Sequence, residues 1–156
     1  MKIDKSWYKK PKEKNFRCSI AAGGVVVRKE NGKLLVALIG SNYYSDFRLP
    51  KGSQENNEEI ETTARREISE EVGLFKLKMV CKLGIKERLS FEKTDWKITH
   101  YFLFETDEIF GRQNLQPGEE DMKLIWFNLD NLPDFFWPEQ KELINENIKR
   151  IKRLLS

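Results

Sequence analysis

The chain has 156 residues, enough for one globular domain and a real buried core but not for several domains. Apolar residues make up 39% and charged residues 34%, and 28 Lys and Arg against 25 Asp and Glu leave a net charge of +3. That balance excludes a disordered chain and permits anionic partners without requiring them. No run approaches the ~18 apolar residues of a membrane-spanning helix, and the basic start MKIDKSWYKKPKEKNFR lacks the apolar stretch of a signal peptide. Cys18 and Cys81 form neither a disulfide framework nor a Cys-x-x-Cys metal pair, so buried thiols in a reducing cytoplasm are expected.

Residues 1–17 carry seven Lys and Arg against Asp4 and Glu13 and read as a solvated extension, with Trp7 and Tyr8 as the residues that would dock it. Residues 18–156 then form the single domain. Its first strand is predicted at Ser19–Arg28, through Val25-Val26-Val27, with glycines at 23 and 24 that favour close packing or a ligand's approach. Asn31-Gly32 signals a hairpin, Lys33–Ile39 returns, and Gly40–Pro50 reads as a loop. A helix is predicted at Glu58–Val72, capped by Asn56 or Asn57 and stopped by Gly73, with Ile60, Ala64, Ile68 and Val72 on its core face. Strands are expected at Phe75–Val80, Leu83–Ser90, Thr99–Glu105 and Leu124–Leu129. The closing helix, Pro138–Leu155, has an apolar stripe of Ile144, Ile148, Ile151 and Leu155. The pattern predicts an α/β fold, a mixed sheet covered by helices on its faces.

The chemistry gathers on the first helix. Glu67, Glu70 and Glu71 are related by three and four residues, so three carboxylates share one side and repel one another. They also lie toward the helix carboxyl end, where the dipole disfavours negative charge. Hard divalent cations would offset both penalties, and carboxylate oxygens suit Mg²⁺ or Mn²⁺. Arg66 follows Glu58 by two turns and precedes Glu70 by one, placed to hold the acids in order. The turn Leu49-Pro50-Lys51-Gly52 brings bare backbone and one positive charge to the same place. These parts describe a site that binds metal and phosphate and directs water at phosphorus.

The same residues carry a family signature: Gly52, five residues, Glu58, seven residues, Arg66-Glu67-Ile68, one residue, Glu70-Glu71, one residue, Gly73-Leu74. This resembles the complete box of the Nudix hydrolases. The resemblance implies an α/β/α sandwich and Mg²⁺- or Mn²⁺-dependent hydrolysis of a nucleoside diphosphate linked to another group. By similarity, Glu67, Glu70 and Glu71, with Gly52, are the metal ligands, and Glu67 and Arg66 belong to the catalytic set. A further carboxylate often comes from a late loop in this family, here Glu119 or Glu120 in Pro117–Asp121, with Glu120 preferred; an ordinary acidic turn is the plainer reading.

Leu49-Pro50-Lys51-Gly52 and Ala22-Gly23-Gly24 resemble the dinucleoside polyphosphate branch, and diphosphoinositol polyphosphate hydrolases look similar there. Phe47 or Arg48 stands where the first group often has tryptophan, and Phe91 where some have tyrosine. Lys51 and Tyr101 are taken as substrate-binding residues, with Phe91, Tyr43 and Tyr44 as other aromatic candidates, although strand aromatics are more often core. His100 reads as a packed or hydrogen-bonded residue and no nucleophilic triad is present. The expected partner is a small nucleotide, diadenosine tetraphosphate ahead of nucleoside triphosphates, RNA 5′ ends and ADP-ribose; a membrane is not. Two other classes stand beside this one: a Nudix-fold binding domain without turnover, which would be expected to lose a box glutamate, and a basic nucleic-acid-binding module, whose standard motifs are missing.

Overall fold

A computed structural model describes residues 2–41, 47–112 and 122–156. A short 3₁₀ helix, Lys5–Tyr8, precedes strand β1 (Cys18–Glu30), β2 (Lys33–Ser41) and β3 (Lys51–Ser53). Helix α1 (Ile60–Val72) follows, then β4 (Lys78–Leu89), β5 (Trp96–Glu105), β6 (Met122–Asn128) and helix α2 (Pro138–Leu155). The strands form one six-stranded sheet in the order β4-β5-β1-β2-β6, with β3 added to β1. β1 runs parallel to β5, pairing Cys18 with Trp96 and Val27 with Glu105, and the other pairings are antiparallel.

Alternation along the strands divides the core into two layers. Ala22 and Val26 of β1 join Ala37, Ile39, Phe102 and Phe104 under the α1 face of Ala64, Ile68 and Val72. Val25 and Val27 turn the other way, with Val36, Leu38 and Leu103, and meet Leu143, Ile144, Ile151 and Leu155 of α2. The mixed sheet between two helices is the α/β/α sandwich that the sequence predicts.

The departures are local. β3 occupies part of a predicted turn because Gly23 opposes Lys51 and Ala22 opposes Gly52, extending the backbone ladder across that end of β1. Helix α1 begins at Ile60, with Glu59 as its N-cap and no capping side chain. Asn57 adopts the left-handed region (φ 59°), and the Glu58 amide bonds back to the Glu55 carbonyl at 3.1 Å, so the preceding turn ends where the helix was expected to start. β4 is one strand rather than two, its ladder to β5 shifting register between Met79 and Cys81 and between Lys82 and Gly84. Neither cysteine is buried: Cys18, at the open end of β1, is exposed and Cys81, beside the register shift, is half-buried. The amino-terminal segment docks instead of floating, with Trp7 only 8% exposed in a cluster with Leu89, Trp96 and Trp137. No helix among the described residues is long and apolar enough to cross a membrane.

Candidate active site

Helix α1 lies against β3 with nothing between Gly52 and the Glu67 carboxylate. A Cβ built on Gly52 would overlap the carboxyl carbon and both oxygens of Glu67, so any larger residue here would push that carboxylate away from the strand backbone. Gly73 ends the helix in the left-handed region (φ 69°), its amide bonding the Ser69 carbonyl at 3.0 Å.

Arg66 is the hub. Its Nε donates to Glu58 Oε2 at 2.8 Å and its Nη2 to Glu58 Oε1 at 3.0 Å, a bidentate pair. Nη2 also reaches the Ser53 carbonyl at 2.8 Å, while Nη1 reaches Glu67 Oε1 at 2.8 Å and Glu70 Oε2 at 3.3 Å. One guanidinium thus ties β3, the turn and the acidic helix together. The hydrogen bonds from Arg66, helped by Thr63, hold the Glu58 carboxyl down to about 2.

The acids behind this hub are strained electrostatically. Burial pushes Glu71 up to about 7, despite the hydrogen bond it accepts from the Lys51 amide at 2.7 Å. Burial also raises the Glu67 carboxyl against the pull of Arg66, and Glu70 adds repulsion. Glu70 is more open, its side chain 56% exposed. As the side chains stand, no three acids among the described residues converge on one point, because Arg66 lies between Glu67 and Glu70 and Glu71 faces Lys51. The donor set nevertheless fits a hard cation: Glu67, Glu70 and Glu71 are carboxylates one turn apart, two of them burdened by charge in a poorly hydrated place, beside bare backbone at Gly52. Glu119, Glu120, Tyr43 and Tyr44 lie outside the described residues.

Next to the acids is a cleft of about 230 Å³ lined by Arg48, Lys51, Glu71, Arg88, Phe91, Lys97 and Trp137, among others. Burial, with repulsion from the nearby Arg88 and Lys97, lowers the Lys51 ammonium to about 8. Cations held together in this way favour an anion among them. Arg88 is nearly buried, its Nε bonded to Glu139 Oε2 at 2.7 Å and its guanidinium carbon 3.3 Å from the centroid of the Trp137 ring. Two larger cavities, about 750 and 930 Å³, are lined by other residues and hold none of the box acids.

The sequence expectation for Tyr101 is corrected. Its side chain is 0% exposed in the layer under α2, because inward alternation on a central strand leaves it no path to the cleft. Its hydroxyl accepts from Gln140 Nε2 at 3.0 Å, and Gln140 Oε1 accepts the Leu49 amide at 2.9 Å. Tyr101 and Gln140 therefore anchor the turn that carries Lys51. His100, as expected, is hydrogen-bonded, its Nδ1 2.8 Å from Lys82 Nζ. Arg88, Lys97, Trp137, Glu139 and Gln140 were missed; only the fold brings β4, β5 and the start of α2 to the acidic helix.

The Nudix domain model matches residues 19–146. The chain belongs to the Nudix family. It is a Nudix hydrolase acting on pyrophosphate bonds, of a family that generally uses divalent metal ions and small nucleotide substrates. Among solved structures, it is similar to a Caenorhabditis elegans Ap4A hydrolase in a binary complex, at 22% identity and TM-score 0.64, over 86% of this chain and 98% of that one. The Nudix domain of Shewanella oneidensis NrtR, complexed with ADP ribose, is 16% identical with TM-score 0.66, over 85% of this chain and 88% of that one. A MutT Nudix hydrolase from Burkholderia pseudomallei is 20% identical with TM-score 0.62, over 83% and 97%. At these identities the likeness is one of fold. No curated protein matches the sequence.

Proposed function

We propose that this Nudix hydrolase cleaves a phosphoanhydride bond of a dinucleoside polyphosphate, with diadenosine tetraphosphate as the representative substrate. The observation that carries the reading is the basic cleft beside the acidic helix, which Lys51, Arg88 and Lys97 line together; burial, with Arg88 and Lys97 adding repulsion, depresses the charge on Lys51. A chain of phosphates longer than two would extend from the acids into that cleft and meet these cations. Phe91, 43% exposed, offers ring surface at its rim for a second base. The resemblance to an Ap4A hydrolase fold agrees with this reading, as do the resemblances to folds with other ligands, so the cleft and not the fold argues for the substrate.

In this reading Glu67, Glu70 and Glu71, with the Gly52 backbone, hold Mg²⁺ or Mn²⁺. A bound divalent ion lowers the pKa of its water and offsets charge developing on the phosphoryl group. Arg66 keeps Glu67 against Gly52 and frames the acids, and the raised Glu67 carboxyl is placed for proton transfer. Glu120 is the proposed source of one more carboxylate. Lys51 neutralises phosphate charge, and a phosphate beside it restores its full protonation.

The test is product analysis with Mg²⁺ across dinucleoside tetra- to hexaphosphates, nucleoside triphosphates and ADP-ribose. The long chains should have the highest kcat/KM, with ATP and AMP from diadenosine tetraphosphate marking asymmetric cleavage and two ADP symmetric cleavage. Lys51→Ala should lower kcat/KM on them by roughly 10–150-fold, the worth of one charge-assisted contact. A preference for ADP-ribose, with Lys51→Ala equally harmful on every substrate, would defeat the polyphosphate reading.

A further inference from the structure

The matched family domain begins at residue 19, so the docked amino-terminal segment lies outside it. It nevertheless touches the cleft wall at two places. Trp7 Nε1 donates to the Phe91 carbonyl at 3.3 Å, and the two rings lie 6.5 Å apart and 22° from parallel. Lys93, in the same β4–β5 turn, bonds Ser6 Oγ at 2.7 Å and sits 4.1 Å from the Trp7 ring centroid. The turn bearing Phe91 is therefore gripped from the amino-terminal side.

The second contact is more consequential. The Tyr8 hydroxyl donates to Glu139 Oε1 at 2.6 Å, while Glu139 Oε2 accepts Arg88 Nε at 2.7 Å. Glu139 and Arg88 are 6% and 4% exposed, so both oxygens of this carboxylate need protein donors. Arg88 Nη1 is used by the Leu89 carbonyl at 3.1 Å, and Nη2 makes no hydrogen bond among the described residues. Glu139 Oε1, the oxygen that a bidentate pair with Arg88 would use, is bonded to Tyr8 instead.

We infer that residues 2–17 form a strap that presets the cleft, with Tyr8 a positioning residue that keeps one amino group of Arg88 available to the substrate's phosphate chain and Trp7 a positioning residue for the Phe91 turn. This rests on the reading of the cleft as the polyphosphate site. The strap needs no motion to act. It makes an otherwise greedy buried carboxylate monodentate, and so leaves Arg88 a donor to spare.

The test is steady-state kinetics of full-length Tyr8→Phe with diadenosine tetraphosphate and Mg²⁺. Phenylalanine keeps the ring and removes only the hydroxyl. KM should rise roughly tenfold with kcat within about twofold, because a contact made equally in ground and transition states is lost. The Mg²⁺ concentration for half-activation should not move, as it would if the acidic helix were disturbed. Lysine cannot form the fork, so Arg88→Lys should raise KM by itself and Tyr8→Phe should add nothing on that background. Competitive inhibition by inorganic tripolyphosphate, which has no base to stack, should weaken in Tyr8→Phe by the same factor as KM; this measurement stands even if Arg88→Lys fails to fold. A Tyr8→Phe enzyme with the parent KM beside a defective Arg88→Lys would overturn the strap alone, as would equal effects of Tyr8→Phe on both backgrounds. Parent KM in Arg88→Lys would overturn the strap together with the cleft reading beneath it.

Discussion

Tyr101→Phe separates a buried anchor from a substrate contact. The change removes one hydroxyl that accepts Gln140 Nε2 at 3.0 Å in a place with 0% exposure, and it leaves the amide without that partner. An unpaired buried donor costs about 1–2 kcal/mol, which for a domain of this size lowers Tm by roughly 2–8 °C. Because the ring stays in the layer under α2 and no atom of it lines the cleft, kcat and KM should hold their parent values. Gln140→Leu sharpens the comparison. It strips partners from both the Tyr101 hydroxyl and the Leu49 amide, so the loss should reach about 2–4 kcal/mol, and the loosened turn should now raise KM through Lys51. Urea unfolding monitored by tryptophan fluorescence gives the stabilities, and initial rates on diadenosine tetraphosphate give the kinetics. A Tyr101→Phe enzyme with unchanged Tm and a KM raised more than about threefold would refute the assignment, since only a hydroxyl reaching the substrate behaves so.

Glu70→Gln keeps its shape and loses a charge, so turnover should fall by roughly 10²–10⁴-fold while Tm holds or rises; parent turnover would remove Glu70 from the metal site. In Glu71, a folded-state pKa of about 7 against an ordinary 4.5 means that, in chelator, stability declines as pH climbs between those values and is flat above. Glu71→Gln should therefore match the parent near pH 4 and exceed it by about 3 kcal/mol at pH 8, as read from urea titrations at both pH values. Gly52→Ala drives a methyl into the Glu67 carboxylate and should abolish most of the Tm gain on adding Mn²⁺, and a full gain in differential scanning fluorimetry would place the cation elsewhere.

The acidic helix was legible because its information is local. Glu67, Glu70 and Glu71 need only the 3.6-residue repeat to share a side, and Gly73 marks its own stop. The pairing of Arg66 with Glu58 was legible for the same reason, though the helix itself starts after Glu58. Tyr101 was misplaced because period-2 alternation on a strand does not say which face holds the site, and both faces of this sheet are covered. Arg88 and Glu139 were invisible for a different reason. A buried ion pair between a strand and a helix leaves no spacing to read, and each residue alone looks like surface charge. Trp7 carried the one available hint, a large aromatic in a basic stretch, yet composition pointed to solvent.

The parallel pairing of β1 with β5 has a consequence for how the molecule comes to be folded. The hairpin turn at Asn31-Gly32 closes early, but it pairs only Val27–Glu30 of β1 with β2. On that same edge Ala21–Gly23 pair with β3, but the opposite edge of β1, from Cys18 to Val27, waits for β5, which pairs Cys18 with Trp96. Closing so long a loop is slow, and it belongs in the millisecond-to-second range typical of non-local sheets. Until β5 arrives, α1 has neither Phe102 nor Phe104 to sit on, and the acids have no fixed floor. During synthesis, an apolar strand with an open edge is therefore exposed until β5 has been made, the kind of surface through which incompletely folded chains associate.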